Sequence, residues 1–363
     1  MPSLWLALAA LAAAPSLPTS PAGLWEGHIG TLPVRACFTE RDWGRFGAYY
    51  YLSQLKLIPL EEVEGRPGGY AEGSAPGSRR WEIEQASARE IRGRWSDGKR
   101  SLAVRLTPLA GGDAEAPCAS RAFHAPRLAG IDTRDESAST DWIAFVRKRL
   151  DVRGRFDVSV ETIEFGGGGD AVRRINEALS RPLSDPEFGW FSCIQTSLTQ
   201  SPHEGSFHAV LQPALISRRW LSITDQHDVF CGGAYPSSGQ VYRLFDRMTG
   251  KEVDLRDWFN TRAVKREGAA GSADAIRTLT PEFRRFLLAG WRAEDPECTE
   301  VVRDEEFWNV GLTRKGLVFA PSLAHAVQAC GIELTYSFER LRPFLTEEAA
   351  SFLAAIDAER SSN

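Results

Sequence analysis

The sequence predicts an α+β protein in two parts: an antiparallel β barrel or sandwich, then an α+β domain with a mainly antiparallel sheet and packed helices. Three observations carry this. The chain has 363 residues, enough for roughly two hydrophobic cores. Its 32 Gly and 20 Pro imply many turns, which favours strands over a helical bundle. Strand-like and helix-like segments also cluster along the chain instead of alternating, unlike a doubly wound α/β fold. A formal charge of -5, from 43 Lys+Arg against 48 Asp+Glu, gives nucleic acid no general electrostatic reason to bind.

The N-terminus comes first. Leu4 to Ala14 form an eleven-residue apolar block, the length of a secretion-signal core and too short to span a bilayer as a helix. No Lys or Arg precedes it, and Pro15 follows the Ala12-Ala13-Ala14 run directly. Cleavage near Ala22 is as plausible, so residues 1–22 are read as a signal peptide, with a mis-chosen start or a plain tail as the alternative. Downstream, no run reaches the roughly 18 apolar residues of a spanning helix. The expectation is a soluble protein of the periplasm or the secreted fraction, not membrane-spanning.

Six cysteines, Cys37, Cys118, Cys193, Cys231, Cys298 and Cys330, lack any C-x-x-C pair that would suggest zinc or thiol redox chemistry. In an oxidising compartment they should pair. Sequential pairing keeps each bond local, although fifteen connectivities are formally open.

Residues 23–124 read as the β-rich domain, with short apolar runs between Gly, Pro and charged turns. Leu102, Val104 and Leu106 alternate with Ser101, Ala103 and Arg105, as a half-buried strand requires. Trp25, Trp43, Trp81, Trp95 and the run Tyr49-Tyr50-Tyr51 crowd this domain. Adjacent tyrosines on a strand point to opposite faces, so one ring is expected outside the core, suited to a glycan or a protein partner. The plain alternative is that these rings fill the β core. Residues 125–140 lie in a stretch mixing Gly, Ala, Pro, Asp and Ser, and read as a linker.

The domain at 141–363 begins with a helix-like segment, Asp141 to Leu150, and a strand, Arg155 to Phe165, with Val158, Val160 and Ile163 toward a core. After four glycines, Asp170 is positioned to cap a helix Ala171 to Leu179. Strands are expected at Phe188 to Leu198, Ser206 to Ser217, Arg219 to Asp225 and Gln240 to Asp246. A helix follows at Ser272 to Trp291, striped by Ile276, Leu279, Phe283, Phe286 and Leu287. Asn309 to Pro321 reads as a hairpin, Ile332 to Ser337 as a last strand, and Thr346 caps a closing helix to Arg360.

Ordered motifs run through this second domain: Ile175-Asn176, Cys231-Gly232-Gly233-Ala234-Tyr235-Pro236, Phe245-Asp246 with Thr249-Gly250-Lys251, Val253 through Phe259, Gly316 through Phe319, and Leu334-Thr335-Tyr336 with Leu341. On these residues, about 150–345 resembles an extracytoplasmic bacterial domain family found in lysozyme-binding anti-sigma factors and beside peptidoglycan-deacetylase domains. The resemblance implies a binding or sensing module, with deacetylation left to a separate domain this chain lacks. Where the family has His before the proline of the glycine turn, Tyr235 stands here. Any role of that imidazole does not carry over.

Asp225, Gln226, His227 and Asp228 form the densest cluster of acid, base or ligand groups, with Asp225 and His227 on one side of a strand. A metal-dependent envelope hydrolase using Asp225, His227 and Asp228 is therefore the alternative to binding, with His203 or His208 as a conceivable third ligand. The glycines Gly166 to Gly169 mimic a dinucleotide fingerprint. Asp170 would place a negative charge at the phosphate, and the strands that follow read as antiparallel, so a plain turn is expected. No G-x-S-x-G elbow occurs. The preferred expectation is a non-catalytic envelope-binding protein, without cofactor or metal. Its site would be Asp228, Gly232, Gly233 and Tyr235, its ligand a protein or a peptidoglycan-related molecule, and its oligomeric state is open.

Overall fold

The structure, a computed structural model, describes residues 20–73, 79–140, 142–181, 183, 189–268 and 275–361. The apolar block Leu4 to Ala14 lies outside them. The chain divides into two compact units, Met1–Ala129 with Gln195–Glu204, and Gly130–Ile194 with Gly205–Asn363.

The first unit is a closed eight-stranded antiparallel barrel: β1 (Gly23–Ile29), β2 (Leu32–Arg41), β3 (Gly44–Tyr51), β4 (Ile58–Glu62), β5 (Gly69–Glu72), β6 (Arg80–Ala86), β7 (Ile91–Ser96) and β8 (Ser101–Pro108). β1 pairs with β8 to close it, which leaves no free edge. Alternation sends Trp25, Val34, Phe38, Tyr49, Trp81 and Val104 into one interior cluster. Of the two sequence options, barrel and sandwich, the barrel is the one found.

The tyrosine run corrects an expectation. Tyr49 points inward as alternation requires, but Tyr50, on the outer side, is also completely buried. A short 3-10 helix, Pro117–Ala119, and helix α1 (Arg121–Leu128) lie over that outer face. Phe123 of α1 packs on the Tyr50 ring with centroids 5.2 Å apart, and the Tyr50 hydroxyl donates to the Phe123 carbonyl. Cys37, outward on β2, is bonded to Cys118 and fastens the cover. Trp43, by contrast, is 65% exposed.

Residues 125–140 hold the end of α1 and all of β9 (Asp132–Ser139), so regular structure occupies the stretch that composition suggested was a linker. In the second unit a seven-stranded sheet continues from β9 through β10 (Ala144–Asp151), β11 (Val158–Phe165), β12 (Ser206–Ile216), β13 (Trp220–Phe230), β14 (Ser237–Asp246) and β15 (Lys251–Val253), neighbours in chain order. Helix α2 (Asp170–Leu179) covers one face through Ile175 and Leu179. Helix α3 (Trp190–Gln200) precedes β12. A pair of short strands, β16 (Val264–Glu267) and β17 (Ile276–Leu279), leads to α4 (Pro281–Leu287) and α5 (Pro296–Asp304). The three-stranded sheet β18 (Trp308–Thr313), β19 (Gly316–Pro321) and β20 (Leu334–Tyr336) follows, then α6 (Phe338–Leu341) and α7 (Glu347–Ser361). Trp220, Trp258, Phe259, Phe283, Trp308 and Phe319 anchor the core between these parts.

Five local expectations are corrected here. Residues 144–151 are strand, not helix, because β9 and β11 pair with both of their edges. Trp190, Phe191, Ile194 and Leu198 lie on a helix rather than a strand; their spacing of one, four and eight buries one helical face. Phe188 lies outside the described residues. Ile276 to Leu279 pair with Val264 to Glu267, so the helix begins only at Pro281, where a missing N–H costs nothing and the Thr280 hydroxyl accepts from the Phe283 amide at 3.2 Å. Residues 272–274 of that expected helix lie outside the described residues. Asp170 does not cap α2: Gly169 takes that place, and the Asp170 carboxylate pairs with Arg173 at 2.8 Å. Finally, β11 and β12 are parallel, against the antiparallel reading, which makes β11 to β12 a crossover through α2 and α3. Asp170 still sets negative charge at the helix start.

Candidate functional site

The β13–β14 hairpin turns through Cys231-Gly232-Gly233-Ala234-Tyr235-Pro236. Gly232 and Gly233 have φ of +89° and +93°, a region L side chains rarely enter, and a Cβ at Gly233 would meet nothing within 4 Å. Backbone conformation, not crowding, is thus what glycine supplies there. Cys231 at the turn's entry is bonded to Cys193 on α3. The exit is held by the 3-10 helix His325–Cys330, whose last residue is bonded to Cys298 on α5. His325 Nε2 donates to the Pro236 carbonyl at 2.6 Å, since that oxygen can only accept, and the Gln328 amide donates to the Ser238 carbonyl. The sequential pairing Cys37–Cys118, Cys193–Cys231 and Cys298–Cys330 is therefore the one found.

Within this fastened turn Tyr235 is 72% exposed, with its ring centroid 5.8 Å from that of His325. An imidazole thus stands beside Tyr235 although the position before the proline lacks one. His325 and Gln328 were missed by sequence reasoning. They lie some ninety residues on, in a segment with no motif, and only folding brings them to the turn.

The acid and base cluster divides. Strand alternation puts Asp225 and His227 on one face of β13 and Asp228 on the other. Asp225 Oδ1 pairs with Arg181 Nη2 at 2.5 Å. His227 lies directly opposite Gly239 of β14, where a Cβ would stand 2.6 Å from the ring. Asp228 is exposed and opposite His208, on the face where Gln226, Gln240, Tyr242 and Glu333 form a polar ladder. Burial and the Glu333 carboxylate push the Tyr242 hydroxyl up, so it stays a donor, to Glu333 Oε2 at 3.3 Å. His208 pairs with Asp157 at 3.5 Å and His203 with Glu61 at 2.7 Å, so neither joins Asp225 and His227. Among the described residues no group of three or more His, Cys, Asp or Glu is arranged to hold a metal ion. Nor is any helix among them long and apolar enough to cross a membrane.

No family model matches the chain, and no curated protein matches it either. Among solved structures it is similar to a DUF3298 family protein from Pseudomonas aeruginosa PAO1, with 14% identity, a TM-score of 0.34, and coverage of 60% of this chain and 96% of that one. It is also similar to a DUF3298 family member from Bacteroides fragilis NCTC 9343, with 11% identity, a TM-score of 0.35, and coverage of 63% and 96%. DUF3298 is an uncharacterised bacterial domain family. Likeness at this level carries no functional statement, and the anti-sigma-factor and deacetylase settings implied by the sequence resemblance gain no support from these neighbours.

Proposed function

We propose that this chain is an exported envelope protein that binds a protein or a peptidoglycan-related ligand through the glycine turn, with Gly232 and Gly233 allowing close backbone approach, Tyr235 as the anchor and Asp228, on the strand that leads into the turn, as a further contact. The single observation behind this reading is a large aromatic ring left exposed on a backbone that two disulfides and two side-chain hydrogen bonds hold still. A rigid amphipathic ring loses little entropy on binding, which suits it to a hot spot. Three disulfides fit an oxidising compartment outside the cytoplasm.

The test is capture of a muramidase, and separately of soluble peptidoglycan fragments, by the immobilised protein and by Tyr235→Ala. One of the two ligands should bind, and the variant should lose at least about tenfold in affinity, as truncating a hot spot does. Equal capture by both proteins would remove Tyr235 from the reading.

A further inference from the structure

We infer that the barrel carries a ligand site of its own on its outer wall, a groove that takes a short chain ending in one carboxylate, such as an acyl amino acid or a small peptide. The groove, of about 530 Å³, crosses β7, β8, β1 and β2 and is within the size range of small-ligand sites. Ile91, Val104, Leu106, Trp25 and Ile29 point into the barrel core, so strand alternation turns Arg92, Arg105 and His28 outward. Register sets these three in one row, with Arg92 opposite Arg105 and Arg105 opposite His28. Pro33 and Leu52, which is 39% exposed, bring apolar surface to the β2 side, where the Leu52 amide donates to the Pro33 carbonyl at 3.0 Å.

Charge specifies the end group. Like charges directly opposite on neighbouring strands repel, and only one of the two facing arginines is neutralised. Arg92 Nε pairs with Glu90 at 2.9 Å, and Glu26, the other carboxylate of the groove, pairs with Arg35 at 3.5 Å. Arg105 and His28 have no side-chain partner among the described residues. Three guanidiniums against two carboxylates thus leave one positive charge, and it sits on Arg105. A guanidinium fork matches a planar carboxylate through two parallel hydrogen bonds. One carboxylate closes the balance, whereas a phosphate monoester, at about -1.5 to -2, overshoots it beside Glu26 and Glu90. His28, across from Arg105, is a second donor. Leu52 and Pro33 leave room for a weakly apolar body behind the charged end.

N-acetyl-alanyl-alanine, its C-terminal amide and N-acetyl-alanyl-alaninol phosphate share one body and differ in end charge, and each is titrated by calorimetry into the full chain. The acid should bind, with the phosphate ester at least about threefold weaker and the amide at least about tenfold weaker. Arg105→Gln should bring the acid down to the affinity of the amide. Arg105→Lys keeps the charge without the fork, and should weaken the acid about fivefold. Arg105 is exposed on the barrel's outside, so both variants should keep the melting temperature of the parent. Leu52→Ser should weaken acid and amide alike, by roughly threefold. The inference falls if no probe binds at millimolar concentration, if acid and amide bind alike, if the phosphate ester binds tightest, or if Arg105→Gln leaves the acid unchanged. Tyr235→Ala should leave these titrations as they are, so this groove and the glycine turn stand or fall separately.

Discussion

Tyr50 and Tyr235 both lie outside the interior of their sheets, and they end at opposite extremes of burial. The difference comes from what returns to cover them. In the barrel, residues 117–128 fold back over β2 and β3, cross-linked through Cys37–Cys118, and the cover takes the Tyr50 ring and its hydroxyl together. At the turn, the returning segment His325–Cys330 binds backbone carbonyls of Pro236 and Ser238 and leaves the ring out. One covering segment makes a core; the other makes a pedestal. Burial also pushes the Tyr50 hydroxyl up to about 12, so it remains a donor across the physiological range.

The widest gap between the two rings should therefore appear in stability. Tyr50→Ala opens a cavity under α1 and frees the Phe123 carbonyl, at a cost of about 3–5 kcal/mol in urea unfolding. A loss under about 1 kcal/mol would mean that the cover is ornamental.

The same cover rests on a buried charge pair, which gives the next largest effect. Arg127 of α1 is fully buried, and its fork meets the Glu204 carboxylate, with Nη2 to Oε2 at 3.0 Å, while Nε donates to the Leu55 carbonyl at 3.0 Å. Glu204→Gln withdraws the balancing charge and should cost about 3 kcal/mol, since an uncompensated buried cation is penalised more than the pair is worth. Unfolding free energy unchanged in the variant would show that Arg127 is compensated elsewhere.

His124 adds a pH dependence to this region. A carbonyl only accepts and a guanidinium only donates, so Nε2 carries the proton toward the Cys118 carbonyl at 3.0 Å and Nδ1 accepts from Arg127 at 3.1 Å. Burial first, and the Arg127 charge second, hold this imidazole well below its usual range. Its folded-state affinity for protons is thus depressed, and below about pH 6.5 the unfolded chain takes up a proton that the folded chain refuses. Stability should fall as pH falls from 6.5, by at most about 1.4 kcal/mol per unit, and be flat above. The difference in slope between the protein and His124→Gln, which can keep both hydrogen bonds, isolates the effect. Parallel curves would assign the acid sensitivity to other groups.

Legibility in the sequence followed the same division. The barrel's strands were readable because period-two alternation, as at Leu102, Val104 and Leu106, is a local signal. Tyr50 was misjudged because its cover is some seventy residues distant. In the second unit, residues 144–151 and 190–200 exchanged helix for strand because aromatic and β-branched residues favour strands only as a weak prior, and pairing with β9 and β11 or burial of one helical face decides the matter. The turn itself was visible through its two glycines, whereas His325 and Gln328, which fix it, were not. Asp225, His227 and Asp228 looked like one cluster because they are neighbours in sequence, yet a strand separates neighbours onto two faces.

The smallest effect is expected at Tyr235, and it tests the comparison most closely. Tyr235→Ala removes a ring that is 72% exposed and that stands 5.8 Å from the His325 ring, so unfolding free energy should move by no more than about 0.5 kcal/mol. Gly233→Ala, two residues away, should cost more, about 1 kcal/mol, because its φ of +93° strains any Cβ even though space around it is open. That order, backbone above side chain, is what a pedestal requires. If Tyr235→Ala proved the more destabilising, the ring would be packing for the His325–Cys330 segment, and the turn would be a second covered face like that of Tyr50.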